Sequence, residues 1–181
     1  MTEDFLSVVQ AKRFLGREFL TWLVRRIEEG EARIEHDGQT TEIQLGDRVV
    51  LAGGTDDRAR LTLVGAGDIR PELGAGLRRG KLLDRARLIF QRGERRWELT
   101  LDGGLLNYEA LRCPTLGDRD INAQEDPRAA LENDLFLRLA DVEDALGLLD
   151  TLFAEFCTLR GSKAWTTTEL PALRSWIDGL R

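Results

Sequence analysis

The stretch LLDRARLIFQRGERRWELTLDGGLLNYEAL, residues 82–111, decides the fold class. Three runs, Leu82 to Gln91, Arg95 to Leu101 and Leu105 to Leu111, are separated by Gly93-Glu94 and by Asp102-Gly103-Gly104. Short turn signals between alternating runs predict a three-stranded antiparallel meander. Strand side chains alternate between faces. In the middle run this puts Trp97, Leu99 and Leu101 on one face and Arg96, Glu98 and Thr100 on the other. The same phase in the first run groups Leu82, Ala86, Leu88 and Phe90 against Leu83, Arg85, Arg87, Ile89 and Gln91. Arg85, Arg87 and Arg96 are therefore expected on one outward face.

Upstream of the meander, Ala32 to His36 and Thr41 to Leu45 flank Asp37-Gly38, a hairpin signal. Arg48 to Ala52 and Arg60 to Val64 read as a third and a fourth strand, and Ile69 to Arg79 as a short helix. Pro71 fits its first turn, and Asp68 is its candidate cap. From Phe5 to Ile27 apolar residues recur at helical spacing, with Gly16 splitting a leader from a main helix and Gly30 as the stop. Downstream, a polar connector runs from Cys113 to Pro127. A long helix then spans Arg128 to Arg160, with a break expected near Gly147. Leu135, Leu139, Val142, Leu146, Leu149, Phe153 and Phe156 follow its period, and a last helix begins near Thr168. The reading is α+β: an antiparallel sheet with an N-terminal helix and a C-terminal helical layer. One domain is expected over 1–181, with 1–30 helical, 31–112 mainly β and 128–181 helical.

Composition agrees with a packed domain. The chain has 181 residues, 42% hydrophobic and 32% charged, which excludes wholesale disorder. No apolar run approaches the ~20 residues that span a bilayer. The acidic start, Met1-Thr2-Glu3-Asp4, lacks the basic region of a secretory signal. Cys113 and Cys157 make no disulfide framework, so two reduced thiols and a cytoplasmic location are expected.

Several chemistries are missing. The one histidine, His36, lies in a polar turn and reads as a surface residue; with two distant cysteines it cannot build a zinc site. Gly76-Leu77-Arg78-Arg79-Gly80-Lys81 has three residues between its glycines where a P-loop needs four. Glu98, Asp102 and Glu109 lie on adjacent strands as a conceivable Mg²⁺ set, but a solvated face paired with arginines is the better reading. No catalytic constellation and no cofactor is expected. Three of the four tryptophans read as core, and Trp165 as partly exposed.

Charge is unevenly spread. Arg58 to Arg96 holds 11 basic and 4 acidic residues, a balance of +7, whereas Asp118 to Glu155 holds 11 acids against 3 arginines, a balance of −8. The whole chain carries −6. Either the two segments neutralise each other in the fold, or the first forms a phosphate-binding face.

Phe14-Leu15-Gly16-Arg17-Glu18-Phe19-Leu20-Thr21-Trp22-Leu23 resembles the LGREFLTWLW segment of the RdgC family of recombination-associated DNA-binding proteins. Further pieces agree in order: Gly80-Lys81-Leu82-Leu83 with Ala86-Arg87-Leu88, then Trp97 to Asp102, then Leu111-Arg112-Cys113-Pro114. Leu149-Asp150-Thr151-Leu152-Phe153 with Phe156 and Arg160, then Trp165 and Arg174 to Ile177, complete the series. The resemblance is to the C-terminal part of longer members. It implies a homodimer that holds duplex DNA without sequence preference and restrains recombinase filaments, with no catalysis. The candidate phosphate contacts are Arg78, Arg79, Lys81, Arg85, Arg87, Arg95 and Arg96. The alternative is a protein-interaction or assembly module, phage- or defence-related, whose acidic helical segment, with Asp141, Glu143 and Asp144, meets a basic partner or mimics DNA.

Overall fold

A computed structural model describes residues 14–53, 60–65, 69–115 and 127–180. The leader of the first helix, Arg58, the Asp68 cap and residues 116–126 of the connector lie outside the described residues. The elements are α1 (Phe14–Glu28), β1 (Arg33–His36), β2 (Gln39–Gly53), β3 (Leu61–Val64) and α2 (Arg70–Arg78). There follow β4 (Lys81–Arg92), β5 (Arg95–Asp102), β6 (Asn107–Arg112), α3 (Pro127–Arg160) and, after a π-turn at Trp165–Glu169, α4 (Leu170–Gly179).

The meander forms as the sequence predicts, with Phe90 opposite Trp97 and Leu88 opposite Leu99. It is the core of a six-stranded antiparallel sheet in the order β1-β2-β4-β5-β6, with β3 on β2. Asp37 and Gly38 adopt φ of 51° and 70°, the primed turn that a right-twisted hairpin favours. β1 pairs with Gln39–Glu42 and β3 with Arg48–Leu51, so the two short strands lie end to end along one edge of β2.

Two strand expectations need correction. Thr41 to Leu45 and Arg48 to Ala52 are one 15-residue strand, because Gly46, Asp47 and Arg48 bulge opposite Arg87 and pairing then resumes. The phase of β4 also shifts. Arg85 faces Val50 and Leu83 faces Leu51, which leaves Asp84 without a partner. That bulge turns Leu83, not Leu82, onto the inner face.

The inner face carries Ile43, Val49, Leu51, Leu83, Ala86, Leu88, Phe90, Trp97, Leu99 and Leu101, all buried. Helix α1 covers it with Phe19, Leu20, Trp22 and Leu23. Helix α3 adds Ala145, Leu148, Leu152 and Phe156, and the Phe156 ring lies 5.3 Å from Phe19 and 5.5 Å from Trp22. Trp165, expected to be partly exposed, is 3% exposed. The π-turn rolls it edge-on against Phe156, and Arg160 lies over its ring.

Helix α3 runs 34 residues without a break at Gly147. A Cβ there would stand 2.6 Å from His36 Nε2. The glycine therefore seats the hairpin turn against the helix and ends nothing. His36 Nδ1 lies 3.0 Å from Thr151 Oγ1. The histidine is a wedge between hairpin and helix, its side chain 20% exposed, and not the solvated group its polar neighbours suggest.

At the other end of the sheet the backbones of α1 and the β5–β6 turn touch. A Cβ on Gly16 would fall 2.3 Å from the Gly103 carbonyl oxygen. Beside it the buried Asp84 carboxylate takes Arg17 at 2.7 Å and Arg60 at 3.5 Å, while its main-chain oxygen accepts the Gly103 N–H. Gly16 does not split the helix; it lets the helix reach the sheet. Strand β6 forms the far edge, distorted by a register shift between Glu98 and Thr100 and by Ala110 at φ 55°.

Removing Asp84 would strand Arg17 in the helix–sheet joint. We expect Asp84→Ala to lower unfolding stability by about 3 kcal/mol in urea titration. A loss under about 0.5 kcal/mol would show that the ion pair does not hold α1.

Candidate interaction surfaces

The seven cations singled out from the sequence divide into three settings. Arg85, Arg87 and Arg96 do share the outer face of the sheet, as the strand phase predicts. Each is tied to carboxylates there. Arg85 pairs with Asp102 at 2.7 Å and Glu109 at 3.5 Å. Arg87 pairs with Glu98 at 2.5 Å and Asp47 at 3.2 Å. Arg96 holds the other Glu98 oxygen at 2.6 Å, and Arg112 reaches Glu98 at 3.9 Å. Four arginines and four acids thus alternate across one face, whose sum is zero.

Glu98 sits at the centre of this lattice. Burial pushes its carboxyl upward, but hydrogen bonds from Arg87 and Arg96, and their charge, outweigh that and hold it below its ordinary 4.5. The hydrogen bond to Glu98 in turn lifts the Arg87 guanidinium above its usual value, against desolvation. The conceivable Mg²⁺ set does not assemble. Glu98 and Glu109 bind arginines, and Asp102 also accepts the N–H groups of Gly104 and Leu105. No group of three or more ligating side chains converges among the described residues.

Arg95 is in a second setting. It reaches across to α3 and binds Asp141 at 2.7 Å and Asp144 at 3.0 Å, its guanidinium 4.6 Å from the Trp97 ring centre. Trp97 Nε1 donates to the Asp141 carbonyl. Arg92 approaches Asp144 at 3.7 Å. The basic and acidic segments therefore neutralise each other at this joint, and of the acids Asp141, Glu143 and Asp144 only Glu143 makes no ion pair among the described residues.

The third setting is the corner between α2 and β4. Arg78 donates to the carbonyls of Ile177 and Leu180, at 3.0 and 2.7 Å, and so closes the chain's last helix onto α2. Lys81 donates to the Gly53 carbonyl at 3.2 Å. Arg79 is exposed and makes no ion pair among the described residues. Carbonyl partners satisfy hydrogen-bonding groups without cancelling charge, so Arg78 and Arg79 leave this corner positive.

Neither cysteine is an activated nucleophile. Burial raises the Cys113 thiol, helped by Asp141 and opposed by Arg138, and burial alone raises Cys157.

A further surface lies where the sequence shows only helical period. The first buried residue of α3 is Asp141. The residues before it form an arm of about 21 Å, at 1.5 Å per residue, from which Arg138 donates to the Pro114 carbonyl. Along it Leu131 is 71% exposed, Leu135 67%, Phe136 68% and Leu139 53%. Leu135 and Leu139 belong to the stripe expected in the core, but the body ends before the stripe does. The signal available in the sequence is length: a 34-residue helix outruns strands of at most 15 residues that are twisted and bulged.

Comparison with family models, with curated proteins and with solved structures finds no match for this chain. No described helix is long and apolar enough to cross a membrane.

The Glu98 lattice gives a titration test. Because its carboxyl is depressed in the folded chain, Glu98 contributes stability above its unfolded value, and that contribution is lost as pH falls through the folded one. Carbon-detected NMR should find its midpoint below 4.5, and Arg87→Gln should move it upward. A midpoint at or above 4.5 in the unaltered chain would dissolve the lattice.

Proposed function

We propose that this chain is a non-catalytic interaction module that docks another polypeptide through the exposed arm of α3. One observation carries the reading: five large apolar side chains, Leu131, Leu135, Phe136, Leu137 and Leu139, stand exposed on a helix whose other half is core. Monomers seldom expose a contiguous apolar patch of more than a few hundred Å² unless something binds it. Arg128 pairs with Glu132 at 3.1 Å beside the patch, whereas Glu143 makes no ion pair among the described residues and favours a partner that brings a cation. The expected cytoplasmic location belongs with this reading.

Phe136 is exposed and touches no core residue, so it accepts a photo-reactive p-benzoylphenylalanine. Irradiation in cell extract should give polypeptide adducts from position 136 and none from position 166, an exposed site in the π-turn. Adducts absent at 136, or equal at both positions, would remove the docking role.

A second reading, sequence-independent DNA binding in the manner the RdgC resemblance implies, is supported by the α2–β4 corner. Of the six candidate arginines, Arg78 and Arg79 are the two that make no ion pair among the described residues. Arg85, Arg87, Arg95 and Arg96 would first have to leave theirs, so binding by a few contacts and steep weakening with salt are expected. In a low-salt gel shift on duplex DNA, Arg79→Glu should weaken retention at least about tenfold, and Arg96→Gln little. No retention of duplex by the unaltered chain would end this reading.

A further inference from the structure

The arm runs into a cleft, and the two together select the polypeptide; this step rests on the docking reading above. Leu131, Leu135 and Leu139, all exposed, stand four residues apart, and the next member of that row is Glu143. Each step of four turns by only about 40° and rises about 6 Å, so the row is one ridge along the helix. Its last member lines a cleft of about 640 Å³ between α3 and the β1–β2 turn. Leu137, also exposed, lines the cleft too, with Asp141, Asp144, His36 and Asp37. Charge there is unevenly settled. Arg95 matches Asp141 and Asp144, with Arg138 at 3.9 Å from the first and Arg92 at 3.7 Å from the second. Glu143 makes no ion pair among the described residues, and Asp37 has only the His36 ring, at 3.6 Å. Two carboxylates are left over in a space of the size that takes a small organic group whole.

We propose that the arm takes an amphipathic helix of another protein, antiparallel to α3. Its apolar row covers Leu131, Leu135 and Leu139, and its arginine or lysine, one turn before that row, enters the cleft to meet Glu143 and Asp37. A helix fits because a ridge at this pitch seats in the groove of another helix. Antiparallel order opposes the two helix dipoles and turns the partner's positive end toward the leftover carboxylates. The exposed side chains of the arm present on the order of 500 Å², the top of what monomers show. Covering them buries roughly 1,000 Å² in all, near the minimum for a specific interface. The ion pair in the cleft therefore decides which apolar helix is accepted. A second copy of this chain does not supply it. Laid antiparallel about Leu135, that copy brings Pro127 level with Glu143, and Pro127 carries no charge.

The probe is a labelled alanine-rich peptide with leucines at i, i+4 and i+8 and an arginine at i−4, titrated with the full chain by fluorescence anisotropy. It should bind with a Kd of roughly 10–100 μM, and its counterpart with glutamate at i−4 at least about fivefold more weakly. Glu143→Gln and Asp37→Asn should each narrow that difference and together abolish it. Neither change should move the melting curve, since Glu143 is exposed and asparagine tolerates the φ of 51° at position 37. Leu135→Asp should abolish binding of both peptides. No binding of either peptide, equal binding of the two, or a preference for arginine that survives both cleft substitutions overturns the proposal. Adducts from position 136 in extract keep the docking reading in each of these cases; their loss ends docking itself.

Discussion

The helix–sheet joint depends on one buried carboxylate. Asp84 occupies a bulge, so its backbone is released from the β2 ladder and its side chain turns inward. There it binds Arg17 of α1 while its carbonyl fixes the β5–β6 turn through Gly103. A buried ion costs several kcal/mol unless it is matched, so the joint closes only when helix, bulge and turn are all in place. The main-chain contact of Gly16 with Gly103 enforces the same closeness sterically. With α1 held there, Phe19 and Trp22 meet Phe156, and α3 is aligned along the sheet.

That alignment determines which charges remain available. Crossing from the start of β5 to β1, α3 brings Asp141 and Asp144 to Arg95, and the strong dipole of the linear sequence is cancelled in part at the contact. On the sheet's outer face the strand register does the same work by placing acids opposite arginines. A basic count along a sequence says nothing about which residue stands across the ladder. Of the seven candidate cations, Arg78 and Arg79 are the two arginines that make no ion pair among the described residues, and the partners of Arg78 are carbonyls.

Alternation and turn chemistry made the meander, the first hairpin and the helical ends readable from the residues, because these depend on neighbours in sequence. The phase of β4 was not readable. Nothing local marks Asp84 as a bulge; its reason is Arg17, 67 residues away. Gly147 misleads for a similar cause, since its missing side chain serves His36 in a distant turn. Trp165 misreads because three following threonines look like surface, while the π-turn directs the ring inward. The arm shows the opposite error. Leu135 and Leu139 have the right period for a core but stay exposed, and period cannot tell a covered face from an uncovered one.

The far edge of the sheet limits what assembly can become. A straight β6 would offer its free amides and carbonyls to any passing strand. Ala110 in the left-handed region and the slipped register beside Glu98 spoil that template. Growth by strand addition is thereby opposed at that edge, and at the other edge β1 and β3 are only four residues each, too short to template a long ladder.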